Sequence, residues 1–276
     1  MKLKITVTLA VLGSVLFGIS AEAVQPSITE LAAYTAGLPK ITLSGTCDNQ
    51  VSTIFVDEVQ AREMLPSTLE LVSEPYFPAG QHPLQIMFQV TSDLKLVGSP
   101  FPKFPAYNEV ILAVRNVRVK GGKGKIYDYY KKLYLDSILP VVLGYYVGFP
   151  KHFGQFDRGE TFFTARSTSG KPVANVKFEK KTEYDREAFA KNFELLRQTT
   201  PVQEVIADGY GKLVCSKFTF DWATATAYPI DATWDVFDKL HSSASGTYQM
   251  PGFDQTPFGG LGLKASWTLV GPLPCE

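Results

Sequence analysis

The chain has 276 residues, 45% of them hydrophobic and 13% aromatic, which is enough to bury a substantial core. Its 27 basic and 27 acidic side chains cancel, and no long block of one sign occurs. That balance argues against a phosphate backbone or an anionic membrane as partner, so no nucleic-acid partner is expected.

The first 23 residues follow their own pattern: Lys2 and Lys4, an apolar run from Ile5 to Ile19, then Ala21-Glu22-Ala23 as a small-x-small cleavage site. They read as a signal peptide, 1–23, leaving 24–276 as a single domain. The apolar run is shorter than the roughly 20 residues of a spanning helix and is diluted by Gly13, Ser14 and Gly18. The mature chain is therefore expected to be secreted or held in a secretory-pathway lumen, with no membrane association once the leader is removed. In such an oxidising setting Cys47, Cys215 and Cys275 suggest one disulfide and one spare thiol. The favoured pairing is Cys215 with Cys275, which would tie down the C-terminal tail, although spacing alone does not fix it. His82, His152 and His241 are scattered and no CxxC occurs, so no metal site is expected.

Residues 54–72, IFVDEVQAREMLPSTLELV, read as strand, short helix around Glu58 to Glu63, a stop at Pro66, and strand. Short β-like runs follow at 84–90, 109–119, 126–135, 140–149 (PVVLGYYVGF) and 160–167. Turn formers separate them. Gly121-Gly122-Lys123-Gly124 lies between two strands with no helix behind it, so it reads as a hairpin turn and not a phosphate cradle. A helix is expected over 182–199, capped by Thr182 and burying Phe189, Phe193 and Leu196. Strands return at 212–228, and the chain ends in a Gly/Pro-rich tail. The result is a mainly β (α+β) fold, a mainly antiparallel sheet closed or sandwiched, with a few peripheral helices. No Gly-x-Ser-x-Gly, P-loop or dinucleotide fingerprint is present, and no cofactor is expected.

The stretch GYYVGFPKHFGQF, 144–156, sets Lys151 among aromatic and small residues. Most lysines at a strand end lay their stem along apolar surface and reach water with the amine. A lysine held away from water instead tends to lose its proton, and a neutral amine is a nucleophile. Imine chemistry at neutral pH needs a downward pKa shift of roughly three units, about 4 kcal/mol, which desolvation can supply.

Gly148-Phe149-Pro150-Lys151 resembles the lysine motif of the acetoacetate decarboxylase family, Gly/aromatic-Pro-Lys-Lys. Tyr107-Asn108-Glu109, followed by VILAV, resembles that family's Tyr-x-Glu segment, and Tyr134-Leu135-Asp136 and REMLPSTLELV match in order and setting. The resemblance covers most of residues 54–156. It implies a conical, antiparallel β-barrel-like fold with a buried cavity, Lys151 as the imine-forming amine and Glu109 opposite it as proton shuttle or orienter. Tyr107, Tyr146, Phe149, His152 and Gln89 would contact a small-molecule substrate, and a homo-oligomer is implied.

Three departures weaken the match. The second lysine of the motif is His152 here, and the Gly-Arg-Glu that usually precedes it is Gly144-Tyr145-Tyr146. In an extended segment the residue after Lys151 points to the opposite face, so desolvation would be the larger activating influence. The family's upstream arginine, which can hold a substrate carboxylate, falls near Cys47; no arginine precedes Arg62. A carboxylate without a cationic partner is poorly bound. Three readings follow: a Schiff-base lyase acting on a ketone, aldehyde or β-keto acid; a non-covalent cyclase or isomerase of a hydrophobic metabolite; and a secreted small-molecule-binding protein without turnover.

Overall fold

The computed structural model describes residues 40–100, 102–146, 149, 151–199, 204–209 and 212–276, so the leader expected at 1–23 lies outside the described residues. The first strand, β1 (Ile41–Asp57), begins well before the apolar run that signals it. Its early residues alternate with Ser44, Thr46 and Asp48, and so hide an apolar face. The Asp57 carboxylate accepts from the Val59 N–H at 2.7 Å and starts α1 (Glu58–Glu63). β2 (Leu69–Leu71) follows Pro66, completing the expected strand, helix and strand.

β3 (Gln81–Leu96), β4 (Tyr107–Val119) and β5 (Tyr127–Leu135) form a meander beside β1, with the glycine-rich segment making the β4–β5 turn. Strict alternation sorts their side chains. Leu84, Ile86, Phe88, Val110 and Leu112 enter one apolar cluster, while Met87, Tyr107 and Ile111 enter a second. Both faces are therefore covered, which is why these strands read as nearly continuous apolar runs.

Of the stretch expected as a strand at 140–149, residues 140–146 are instead helical: α2 (Ile138–Tyr146) links β5 to β6 (Lys151–Arg158). β5 and β6 are parallel, with Leu133 opposite Lys151, and parallel neighbours need a crossover of about a dozen residues. A short apolar run carries no period that separates buried strand from buried helix. Pro140 fits the first helical turn, where its missing N–H would have no partner. β7 (Phe162–Ser167) and β8 (Pro172–Lys180) continue antiparallel from β6.

The helix expected over 182–199 is two, α3 (Arg186–Lys191) and α4 (Phe193–Thr199), broken at Asn192. The Asn192 amide turns back to donate to the Ala188 carbonyl at 2.8 Å, and the N-cap is Asp185 rather than Thr182. The expected apolar face is nonetheless the one that docks: Phe189 and Leu196 are buried and Phe193 packs beside them in the second cluster.

β9 (Glu204–Gly209), β10 (Lys212–Val236), β11 (Gly246–Met250) and β12 (Leu261–Leu273) complete a mainly β fold of twelve strands among the described residues. The Gly/Pro-rich tail is thus largely a central strand, since β12 pairs with β1 on one side and β10 on the other. The path β4–β3–β1–β12–β10–β9–β5 returns to β4 and makes a ring. The ring is antiparallel except where β5 meets β9, and β5 is also parallel to β6, so the arrangement is mainly antiparallel, as expected. Cys215 in β10 is bonded to Cys275 just beyond β12, leaving Cys47 as a buried free thiol.

Candidate active site

A cavity of about 60 Å³ opens inside this ring, lined from six of its strands together with α2, Phe149 and β6. Taking about 15 Å³ for each water-sized group, it has room for roughly four. Its wall is apolar on most sides: Leu43, Met87, Leu94, Ile111, Phe218, Phe220, Trp267 and Leu269. The polar exceptions gather where β3, β4 and β6 meet.

Lys151 is the first residue of β6, and its side chain is 14% exposed; that of Glu109, in β4, is 5% exposed. The Lys151 Nζ lies 3.9 Å from Glu109 Oε2 and 5.9 Å from the centre of the Tyr107 ring. Glu109 Oε1 accepts from Gln89 Nε2 at 2.6 Å and from Thr91 Oγ1 at 3.2 Å, and the same Gln89 amide donates to Thr91 Oγ1 at 2.6 Å. Register explains the grouping, because Gln89 lies directly opposite Glu109, and Thr91 opposite Tyr107. Beyond the strand ends, Asp136 accepts from the Asn108 N–H at 2.8 Å and from its side-chain amide at 2.6 Å, fixing β5 against β4 next to Glu109.

Burial acts on the two charged groups in opposite senses. It pulls the Lys151 amine below its ordinary value while Glu109 pulls it back up, and it pushes Glu109 above the usual carboxylate range while Lys151 pulls it down. In each case desolvation is the larger effect, so the two values move toward each other, with the Thr91 and Gln89 hydrogen bonds as well as Lys151 holding Glu109 back. An amine and an acid drawn together in this way put a nucleophile and a proton donor side by side. Tyr107 is pushed well up by burial and then by Glu109, and stays a neutral phenol.

α2 matters to the amine's position. A Cβ on Gly144 would collide with the Cγ and Cδ of Lys151, so only glycine lets the helix lie against the lysine stem. The Phe149 N–H donates to the Gly144 carbonyl at 2.8 Å, and the Lys151 N–H to the Phe149 carbonyl at 2.9 Å, turning the chain from helix into strand.

Of the residues singled out from sequence, Lys151, Glu109, Tyr107, Phe149 and Gln89 line this one cavity. His152 does not. It faces the other side of β6, its ring 5.1 Å from that of Tyr134, which belongs to the first cluster, because consecutive strand residues point to opposite faces. Burial, and then Lys132 and Lys239, lower its pKa, so it is a neutral imidazole away from the amine. Tyr146 ends α2 and its side chain lies outside the described part of the structure, as do Gly148 and Pro150. Thr91, Tyr130 and the walls from β10 and β12 were not singled out. Thr91 was within reach, since it follows Gln89 by two on the same strand and so shares its face. The position matched to the family's arginine, Cys47, is buried with its thiol pushed up to about 12 by desolvation, donating to the Ala265 carbonyl at 3.4 Å. Lys151 is the only cationic side chain lining the cavity among the described residues.

No family model matches the chain, and no curated protein matches it; the similarity lies in the fold. An acetoacetate decarboxylase-like enzyme from Sphingomonas wittichii RW1 superposes with a TM-score of 0.56 at 10% identity, over 85% of this chain and 92% of that one. Acetoacetate decarboxylase from Legionella pneumophila gives 0.52 at 15% identity, over 86% of each chain. The enduracididine biosynthesis enzyme MppR, complexed with the condensation product of pyruvate and imidazole 4-carboxaldehyde, gives 0.51 at 14% identity over 84% of this chain and 87% of that one.

Proposed function

We propose, on the premise of an acetoacetate decarboxylase-like fold, that this protein is an enzyme that forms an imine between Lys151 and a small, apolar, neutral ketone or aldehyde. The observation that carries the reading is the pair itself: a buried amine 3.9 Å from a buried carboxyl, with Lys151 pulled down and Glu109 pushed up by desolvation. In the reaction the neutral amine attacks the carbonyl carbon, a C–N bond forms, and the π electrons move to oxygen. Proton transfer from nitrogen gives the carbinolamine, whose oxygen then takes the Glu109 proton and leaves as water. The products are an iminium ion and the Glu109 carboxylate as its counter-ion. The iminium draws electrons from the adjacent carbon, so loss of a proton there leads to aldol or dehydration outcomes.

The cavity wall directs the choice of substrate. A carboxylate would find only Lys151 as a cation, and that amine is the nucleophile, so decarboxylation of a β-keto acid is disfavoured relative to chemistry on uncharged carbonyl compounds. The carbonyl condensation product carried by MppR supports the reading that this fold accommodates such chemistry. The bonded Cys215 and Cys275 and the leader sequence support action in an oxidising, secretory compartment, which N-terminal sequencing of the mature protein from Val24 tests.

Incubation with butanone and borohydride, followed by mass mapping, is expected to place the reduced adduct on Lys151. Correctly folded protein that remains unmodified at Lys151 overturns the covalent reading. The predominance of apolar walls favours one alternative, a non-covalent cyclase or isomerase of a hydrophobic metabolite. Under it Lys151→Ala retains most turnover, whereas imine chemistry is lost with the amine.

A further inference from the structure

β5 changes face partway along its length. Leu133 and Leu135 belong to the cavity-side cluster and Tyr134 to the other, as alternation requires. Continued upstream, that alternation would turn Tyr130 away with Tyr134. Instead the pairing with β4 slips: Lys132 lies opposite Leu112, but Tyr130 opposite Ala113, so one extra residue, Lys131, is inserted on β5. This is a β-bulge, and it turns Tyr130 onto the cavity face while Tyr127 and Tyr129 take the opposite one.

Tyr130 is 4% exposed, and its ring lies 5.9 Å from that of Phe149, two residues before Lys151. Its hydroxyl makes no hydrogen bond among the described residues. Tyrosine hydroxyls away from bulk water ordinarily find a partner, and a phenylalanine here would line the cavity without leaving a donor unused. The bulge puts Tyr130 on the wall of the hollow that holds Lys151, and its hydroxyl is an unused donor there among the described residues.

We propose that Tyr130 is the hydrogen-bond donor to the carbonyl oxygen of the substrate. The assignment rests on the imine reading for its place in the reaction: Tyr130 polarises the C=O bond, holds the oxygen as negative charge develops during attack by Lys151, and leaves protonation of the departing oxygen to Glu109. Burial, then Asp128 and Glu109, push its pKa upward, so the phenol keeps its proton and acts as donor throughout. Tyr107 and Gln89, by contrast, already serve Glu109 and Thr91.

The test uses the whole protein and Tyr130→Phe. Borohydride trapping of butanone is expected to slow at least roughly fivefold, the worth of one neutral hydrogen bond, with the adduct still on Lys151. The melting temperature is expected to stay level or rise, since an unpartnered hydroxyl is removed; a structural role would lower it. Trapping at the unsubstituted rate overturns the assignment and leaves the imine reading intact. If the unsubstituted protein does not trap at all, the imine reading falls, and butanone affinity in a Lys151→Ala background decides Tyr130 alone. There the added Tyr130→Phe change weakens binding roughly fivefold if the hydroxyl holds the carbonyl oxygen, and equal affinity refutes it.

Discussion

Lys151→Met keeps the apolar stem of the side chain and removes only its amine. Opening an ionised buried pair usually costs about 3–5 kcal/mol, because the remaining charge is left without a partner. The proposed imine reading has Glu109 protonated, which leaves no such charge. Denaturant unfolding of Lys151→Met is therefore expected to lie within about 1 kcal/mol of the unsubstituted protein or above it, and a loss of several kcal/mol would show that the pair is ionised. The pH dependence follows from the same shifts. Attack needs Lys151 unprotonated, and its value lies below 10.5; water loss needs Glu109 protonated, and its value lies above 4.5. The trapping rate is expected to be bell-shaped with both limbs between these values, and Glu109→Gln to abolish the alkaline limb. For stability the signs are distinct. Lys151, depressed in the folded state, adds stability as pH rises through its folded value toward 10.5, whereas Glu109, raised, adds stability below 4.5 that is lost as pH rises through its folded value. The meeting of Lys151 and Glu109 in one cavity was legible because each sits in a short segment that resembles a family motif. Tyr130 was not, since its direction depends on one inserted residue that no periodicity reports.

α2 and the start of β6 act as one positioning device. Glycine inside a helix is ordinarily replaced by alanine with a gain of roughly 1 kcal/mol. Gly144→Ala is expected to behave differently, because the new methyl meets the Lys151 stem and displaces the amine. A misplacement of about 1 Å can cost on the order of 10²-fold, so trapping is expected to fall by about that factor while circular dichroism stays unchanged. At α3, Asp185→Ala removes the bond to the Ala188 N–H, 2.8 Å long, and is expected to cost about 1 kcal/mol in unfolding free energy with little effect on trapping. The strands around the cavity were legible from alternation and turn residues. α2 was not, because nine residues of nearly unbroken apolar character suit either state, and only the parallel pairing it spans decides between them.

At the scale of the whole molecule, the Cys215–Cys275 bond closes a loop of 60 residues and fastens the end of β12 to β10. Chain-entropy reasoning puts its contribution near 4 kcal/mol, so the Cys215→Ser/Cys275→Ser variant is expected to lose up to about that much in denaturant unfolding. Cys47, with its thiol raised to about 12, is expected to escape a thiol reagent in the native state and to react only after denaturation without reductant. The mainly β class and the bonded pair could be anticipated from the sequence, but the central place of β12 could not: Gly262, Gly271 and Pro272 disguise a strand whose glycines let neighbouring side chains close in. That late strand has a consequence for how the protein is made. While the ribosome is still short of Leu261, the lysine and its acid already exist as residues but the wall of Trp267 and Leu269 does not, so the hollow must be sealed after synthesis by pairing the first strand with the last. Until then the amine stands in water, carrying its proton, and the chain has no chemistry to offer.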